Sequence, residues 1–268
     1  VSRGSYDPIG QAFGGTMSMN GMPDGPELNT NPFMNDYLTA LCATWSCLAA
    51  YIYAQKTGKG DSIDLAQYET AVYFMSDAVM MWYNKGIKFK RPGAGNAKYG
   101  AWGPYKCKDG NVYMAPAGQG AVKKGLAFLG LEYPSETFPE GMQLFPKGSK
   151  AADLVEEKLT EWCAAHSMAE ADKELNAVGL LCSQIMTHDK MEEHPHYKAR
   201  QVITEWEDIE GKKIKGPNQV FRFKNNPTQI WRGAPKYGMD NEAVMKSLGY
   251  SDAEIAAMYE KSILVKGK

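Results

Sequence analysis

The chain has 268 residues, with 30 Lys plus Arg against 31 Asp plus Glu and a formal net charge of −1. That balance excludes a basic nucleic-acid binder and an acidic tail protein, and 44% hydrophobic with 23% charged residues excludes a disordered or fibrous chain. Five cysteines without a C-x-x-C pair predict reduced, mostly buried thiols, hence a cytoplasmic protein, rather than a disulfide framework.

Residues 1–86 read as loop, helix, strand, helix. After a Pro- and Gly-rich stretch at 22–32, the Ala-rich run 37–56 predicts a helix that stops at TGKG, residues 57–60, with glycine just past the last periodic position. Part of it, 38–54, reaches only the lower limit of about 17 residues for crossing a bilayer. Its polar positions Thr39, Thr44 and Ser46 favour a buried core helix over a membrane span. Residues 62–65, SIDL, alternate as a short strand, and 67–85 predict a second helix, apolar on nearly all sides and so buried between other elements. This order suggests part of an α/β layer structure.

Between 86 and 103 the composition shifts to Lys, Arg, Gly, Pro and Asn, a linker. Residues 105–108 and 111–115 flank Asp109-Gly110 and predict a β-hairpin whose turn takes its positive φ angles from that pair. A helical stripe covers 151–165, Ser167 with Glu170 forms a capping box, and 180–186 is a strand candidate. A second hairpin is predicted from 202–206 and 213–215 around Glu210-Gly211. Two helices end the chain, the last capped by Ser251 with Glu254.

Several groups suggest chemistry. Gly58-Lys59 fails as a phosphate loop because the glycine closes a helix instead of opening one. His188, His194 and His196, with Asp189, Glu192 and Glu193, offer ligand atoms, but no two of these histidines lie one helical turn apart and Pro195 interrupts them. A polar surface turn is the better reading, and no metal is predicted. Cys107 has no sequence-adjacent base, so burial is preferred over a nucleophilic role. Asp36, in NPFMNDY at 31–37, stands at the start of the most apolar helix, where free backbone N–H groups and the helix dipole stabilise an anion. That position suits a helix cap or a catalytic carboxylate.

YDPIGQA at 6–12, NDY at 35–37 and TGKGDSID at 57–64 resemble, in order and spacing, the family III CoA-transferases of the CaiB/BaiF type. GPYKCKDG at 103–110, LVEEKL at 154–159 and FKNNPTQIWRG at 223–233 look like the L-carnitine CoA-transferase branch. The resemblance implies a Rossmann-like large domain, incomplete at its N-terminus and interrupted by a smaller α+β domain, in an interlocked homodimer. The implied domains are 1–94 (large domain, part), 95–195 (small domain) and 196–268 (return to the large domain). It implies further that the chain starts at Val1 in the middle of the large domain, so that most of the CoA-binding surface lies elsewhere, for instance on a separate N-terminal chain.

The implied activity is CoA transfer between crotonobetainyl-CoA or γ-butyrobetainyl-CoA and L-carnitine, with Asp36 as nucleophile passing through an aspartyl-CoA thioester. The family's glycine-rich loop corresponds to Ala117-Gly118-Gln119-Gly120, so Gly118, Gln119 and Gly120 are candidate catalytic positions. Tyr6 and Asp7 match a pair near the active site that would help bind the CoA thioester, although a plain turn fits them equally. The CoA thioester is substrate; no cofactor is expected to be permanently bound. Trp82, Tyr83, Tyr99, Trp102 and Tyr105 are candidates for an aromatic wall around a trimethylammonium group. The same fold hosts acyl-CoA racemases, but Ala117, Gly118 and Gln119 stand where the racemase glutamate would fall, which favours transfer over proton abstraction. A non-catalytic CoA-binding fragment is the third reading. Neither nucleic acid nor membrane is an expected partner.

Overall fold

The computed structural model describes residues 4–266, which fall into two compact units, one ending at Ile185 and the other starting at Met186. The first helix, α1 (Asp7–Gly14), begins where the turn reading had placed Tyr6 and Asp7. Tyr6 is extended, Pro8 sits in the first turn with its φ already suited to a helix, and Gly15 closes the helix at a φ of 88°. A short 3-10 turn, Thr16–Met19, follows. Helix α2 (Met34–Thr57) matches the Ala-rich run, and Gly58 caps it at a φ of 70°, donating its N–H to the Ala54 carbonyl at 2.8 Å.

Four expectations for this segment do not hold. Residues 62–65 form no strand, because no neighbouring segment offers them a hydrogen-bonded ladder. The helix expected over 67–85 is two helices, α3 (Gln67–Phe74) and α4 (Asp77–Lys85), separated at Ser76, whose φ is 54°. Nor are these helices buried: Val72, Tyr73, Phe74, Met80, Trp82 and Tyr83 are exposed, as are Tyr37, Leu41, Trp45, Leu48, Tyr51 and Ile52 on α2. Of the described residues, only α2 forms a helix long and apolar enough to cross a membrane, and 6% of its apolar window is buried. The core-helix reading of 38–54 is therefore corrected within this chain: apart from Cys42, most of its apolar side chains are exposed.

The hydrophobic core lies further along, between Ala101 and Cys182. Strands β1 (Gly103–Cys107) and β2 (Gly110–Met114) form the predicted hairpin, and β3 (Cys182–Gln184) joins β2 antiparallel, giving the order β1-β2-β3. The strands bury alternate residues, as a one-sided sheet requires. The turn differs from expectation. Cys107 pairs with Gly110, so the turn residues are Lys108 and Asp109, and Gly110 needs no positive φ. Its lack of a side chain serves packing, since a Cβ there would lie 2.5 Å from Met168 Sδ.

Helices α5 (Gln119–Phe128), α6 (Lys150–Ala164) and α7 (Met168–Ala177) supply the apolar stripes that cover the sheet, through Val122, Leu126, Val155, Leu159 and Leu175. Ser149 caps α6, and the Ser167/Glu170 capping box opens α7 as predicted. The five thiols are free. Cys107, Cys163 and Cys182 sit in this core, and burial pushes the last two up to about 12, so they are inert as nucleophiles.

The second unit contains α8 (His188–Met191), α9 (Pro195–Ala199), a hairpin of β4 (Ile203–Glu207) and β5 (Lys213–Pro217), then α10 (Asn241–Ser247) and α11 (Asp252–Glu260). His194 is used locally: its Nδ1 accepts the His196 N–H at 3.2 Å and caps α9. Arg232 grips Asp240 with two hydrogen bonds of 2.9 and 2.6 Å. The Ser251/Glu254 box caps α11 as the sequence predicts. Among the described residues both sheets are antiparallel.

Candidate active site

The polar centre of the first unit is built where three segments meet: the start of α1, the start of α2 and the start of α3. Asp36 lies in the first turn of α2 and is half-buried. The N-terminal end of a helix leaves backbone N–H groups without intrahelical acceptors, and here Asp7 takes up one of them. Asp7 is 1% exposed, and its Oδ2 accepts the Asp36 backbone N–H at 2.9 Å. Its Oδ1 accepts from the Gln11 side-chain amide, one turn along α1. Gln11 is turned in the same network, because its Oε1 accepts the Thr30 N–H at 3.0 Å.

The Asp36 carboxylate is held from the other side. Gln67, at the first position of α3, donates from Nε2 to Asp36 Oδ1. Its own Oε1 accepts from Ser5 Oγ at 2.7 Å, and its main-chain carbonyl accepts Asn35 Nδ2 at 3.3 Å. Glycines make this approach possible. A Cβ on Gly10 would fall 2.5 Å from Asn35 Nδ2, and one on Gly14 would fall 2.4 Å from the Ala71 Cβ. Among the described residues no hydrogen bond reaches Asp36 Oδ2. One carboxylate oxygen is thus anchored and the other has free lone pairs, which suits nucleophilic attack.

Asp36, Tyr6 and Asp7 were legible as candidates, and Asp7 and Asp36 are brought together. Tyr6 precedes α1, and its side chain is exposed. Gln11, Asn35 and Gln67 belong to the network as well, beyond the candidates that the sequence offers. Gln11 lies one helical turn from Asp7, a signal visible once 7–14 is read as a helix. Nothing in sequence spacing links Gln67 to Asp36.

Gly118 is the N-cap of α5 with a φ of 94°, which only glycine adopts easily. It donates its N–H to the Gln143 carbonyl at 2.9 Å, while Gln119 and Gly120 are exposed in the first turn. The loop therefore presents a helix N-terminus with free amides. No hydrogen bond joins residues 117–120 to Asp36 among the described residues.

Of the five aromatic candidates, the ring contacts among the described residues join Tyr99 and Trp102 alone. Tyr105 is 8% exposed in β1, and burial pushes its hydroxyl well above the ordinary tyrosine value. Tyr99 and Trp102 pack on each other with centroids 5.5 Å apart, and Trp102 Nε1 donates to the Pro116 carbonyl at 2.8 Å. Trp82 and Tyr83 lie on α4, 53% and 81% exposed, beside a cleft of about 300 Å³ also lined by Met19 and Ile87.

Residues 1–241 match the model of CoA-transferase family III. The chain belongs to that family. Solved structures agree in fold. A CaiB/BaiF family protein from Brucella suis superposes with a TM-score of 0.69 at 22% identity, over 92% of this chain and 63% of that one. Rv3272 from Mycobacterium tuberculosis gives a TM-score of 0.71 at 18% identity, over 90% of this chain and 64% of that one. The chain thus spans a little under two thirds of these structures' length, and at such identities the likeness concerns fold alone.

Proposed function

We propose that this family III member transfers CoA between a carnitine-type acyl-CoA and a carnitine-type acid, with Asp36 as the nucleophile. The observation that carries this reading is the asymmetric setting of the Asp36 carboxylate, with Oδ1 bonded to Gln67 and, among the described residues, no hydrogen bond to Oδ2. Oδ2 attacks the thioester carbonyl carbon, the C–S bond breaks, and CoA leaves as its thiolate, giving an aspartyl mixed anhydride. The thiolate then attacks the Asp36 carbonyl carbon and expels the donor's carboxylate, leaving an aspartyl-CoA thioester. The acceptor carboxylate repeats these steps in reverse. No redox change occurs and no further co-reactant is consumed.

The amides of Gln119 and Gly120, in the exposed first turn of α5, suit an oxyanion on the donor's carbonyl. The carnitine branch rests on the sequence stretches at 103–110, 154–159 and 223–233, and the exposed faces of Trp82 and Tyr83 suit a trimethylammonium group. The working form is taken to be a homodimer, which would cover the apolar helices of the first unit.

Incubation with acyl-CoA should place a hydroxylamine-sensitive adduct on Asp36, read by peptide mass spectrometry. Asp36→Ala should abolish both the adduct and CoA exchange. Full exchange in Asp36→Ala would end the nucleophile reading. Deuterium entering the acyl α-carbon from solvent without CoA exchange would identify a racemase instead.

A further inference from the structure

We infer that Gln67 is a catalytic residue, the oxyanion donor for the steps that take place on the enzyme's own Asp36 carbonyl; this rests on Asp36 being the nucleophile. The orientation of its amide is decided by its neighbours. A carboxylate oxygen accepts, so the Gln67 atom bonded to Asp36 Oδ1 is the Nε2 donor, which leaves Oε1 to accept from Ser5 Oγ at 2.7 Å. The backbone around it is equally constrained, with the Gln67 carbonyl accepting Asn35 Nδ2 and a Cβ on Gly10 coming within 3.2 Å of Oε1.

The chemistry follows from which oxygen is held. When Oδ2 attacks the acyl-CoA, Oδ1 becomes the carbonyl oxygen of the anhydride. When the CoA thiolate then adds to that carbonyl carbon, the electron pair of the C=O bond moves onto Oδ1, where the Gln67 N–H already points. Collapse restores the C=O bond and breaks the bond to Oδ2, which leaves with the acyl group as its carboxylate. The same charge forms on the same oxygen when the acceptor attacks the aspartyl-CoA thioester. A donor placed in advance at the oxygen where charge develops stabilises the transition state more than the ground state. Two sets of donors therefore divide the work: one serves the substrate's carbonyl, and Gln67 serves the carbonyl the enzyme supplies.

The test uses the full chain with γ-butyrobetainyl-CoA as donor and L-carnitine as acceptor, and follows the Asp36 adduct by rapid-quench mass spectrometry. In Gln67→Leu the rate at which acceptor discharges the adduct should fall by about 10²- to 10³-fold, as for loss of an oxyanion donor, with KM for the acyl-CoA changed less than about threefold. Gln67→Glu keeps the shape and checks folding. It should be slow at neutral pH and recover in part as the pH falls, when the introduced carboxyl protonates and can donate. Discharge at the parent rate in Gln67→Leu, or no recovery of Gln67→Glu at low pH, overturns the inference while Asp36 stands. Absence of any adduct in the unaltered chain overturns the nucleophile reading, and this inference with it.

Discussion

A carboxylate only 1% exposed, as Asp7 is, stays in the interior because each of its oxygens accepts a hydrogen bond, from Asp36 N–H and from Gln11. Removing it leaves both donors buried and unpaired. Asp7→Ala should lower stability by about 1–3 kcal/mol per orphaned group, measured by urea unfolding, and Asp7→Asn, which keeps one acceptor oxygen, should cost less. The thiols make a second prediction at this scale. Burial raises Cys163 and Cys182 to about 12, so at pH 8 they stay protonated and unreactive. Iodoacetamide should label exposed Cys47 first, and reach the core thiols only after denaturation. Asp36 could be picked out from its place before an apolar helix, because that position has one-dimensional marks. Gln67 could not, because its importance arises from contact with a residue 31 positions away.

Among elements, the parts written in local chemistry were the legible ones. Glycine after α2, the boxes at Ser167 and Ser251 and the alternation in β1 and β2 each act within a few residues, and the structure keeps them. The misreadings fall where the local pattern does not decide the outcome. Residues 62–65 have strand-like alternation but no partner, 67–85 has one continuous apolar run but turns at Ser76, and Gly110 looks like a turn glycine yet serves the contact with Met168. The glycines can be compared directly. Gly14→Ala would drive a Cβ to 2.4 Å from the Ala71 Cβ and 2.8 Å from the Tyr68 carbonyl oxygen, which α1 can relieve only by leaving α3, at a cost of about 1–3 kcal/mol. In Gly110→Ala the obstacle is the flexible end of Met168, so the thermal midpoint should fall less than for Gly14→Ala.

On the scale of the whole molecule, α2 and α4 present more apolar surface than a lone soluble chain usually tolerates. If a second copy covers it, light scattering should give twice the chain mass at micromolar concentration, and Trp45→Lys with Tyr51→Lys on α2 should shift the population to the monomer. A monomer in the unaltered chain that floats with phosphatidylcholine vesicles would assign that face to lipid instead. The Rossmann-type layering implied by the resemblance was not legible as a pattern of strands, since the two sheets of the described residues are small and antiparallel. The hydrophobic core runs from Ala101 to Cys182, whereas the Asp7–Asp36–Gln67 network joins segments that precede it in the chain. Openings that detach α1 from α2 and α3 need not disturb the buried layer, so amide exchange at Asp36 should outpace that at Leu159. As temperature rises, turnover should fade while the hairpin and its covering helices remain folded, making catalytic competence the first casualty of warming rather than a marker of global unfolding.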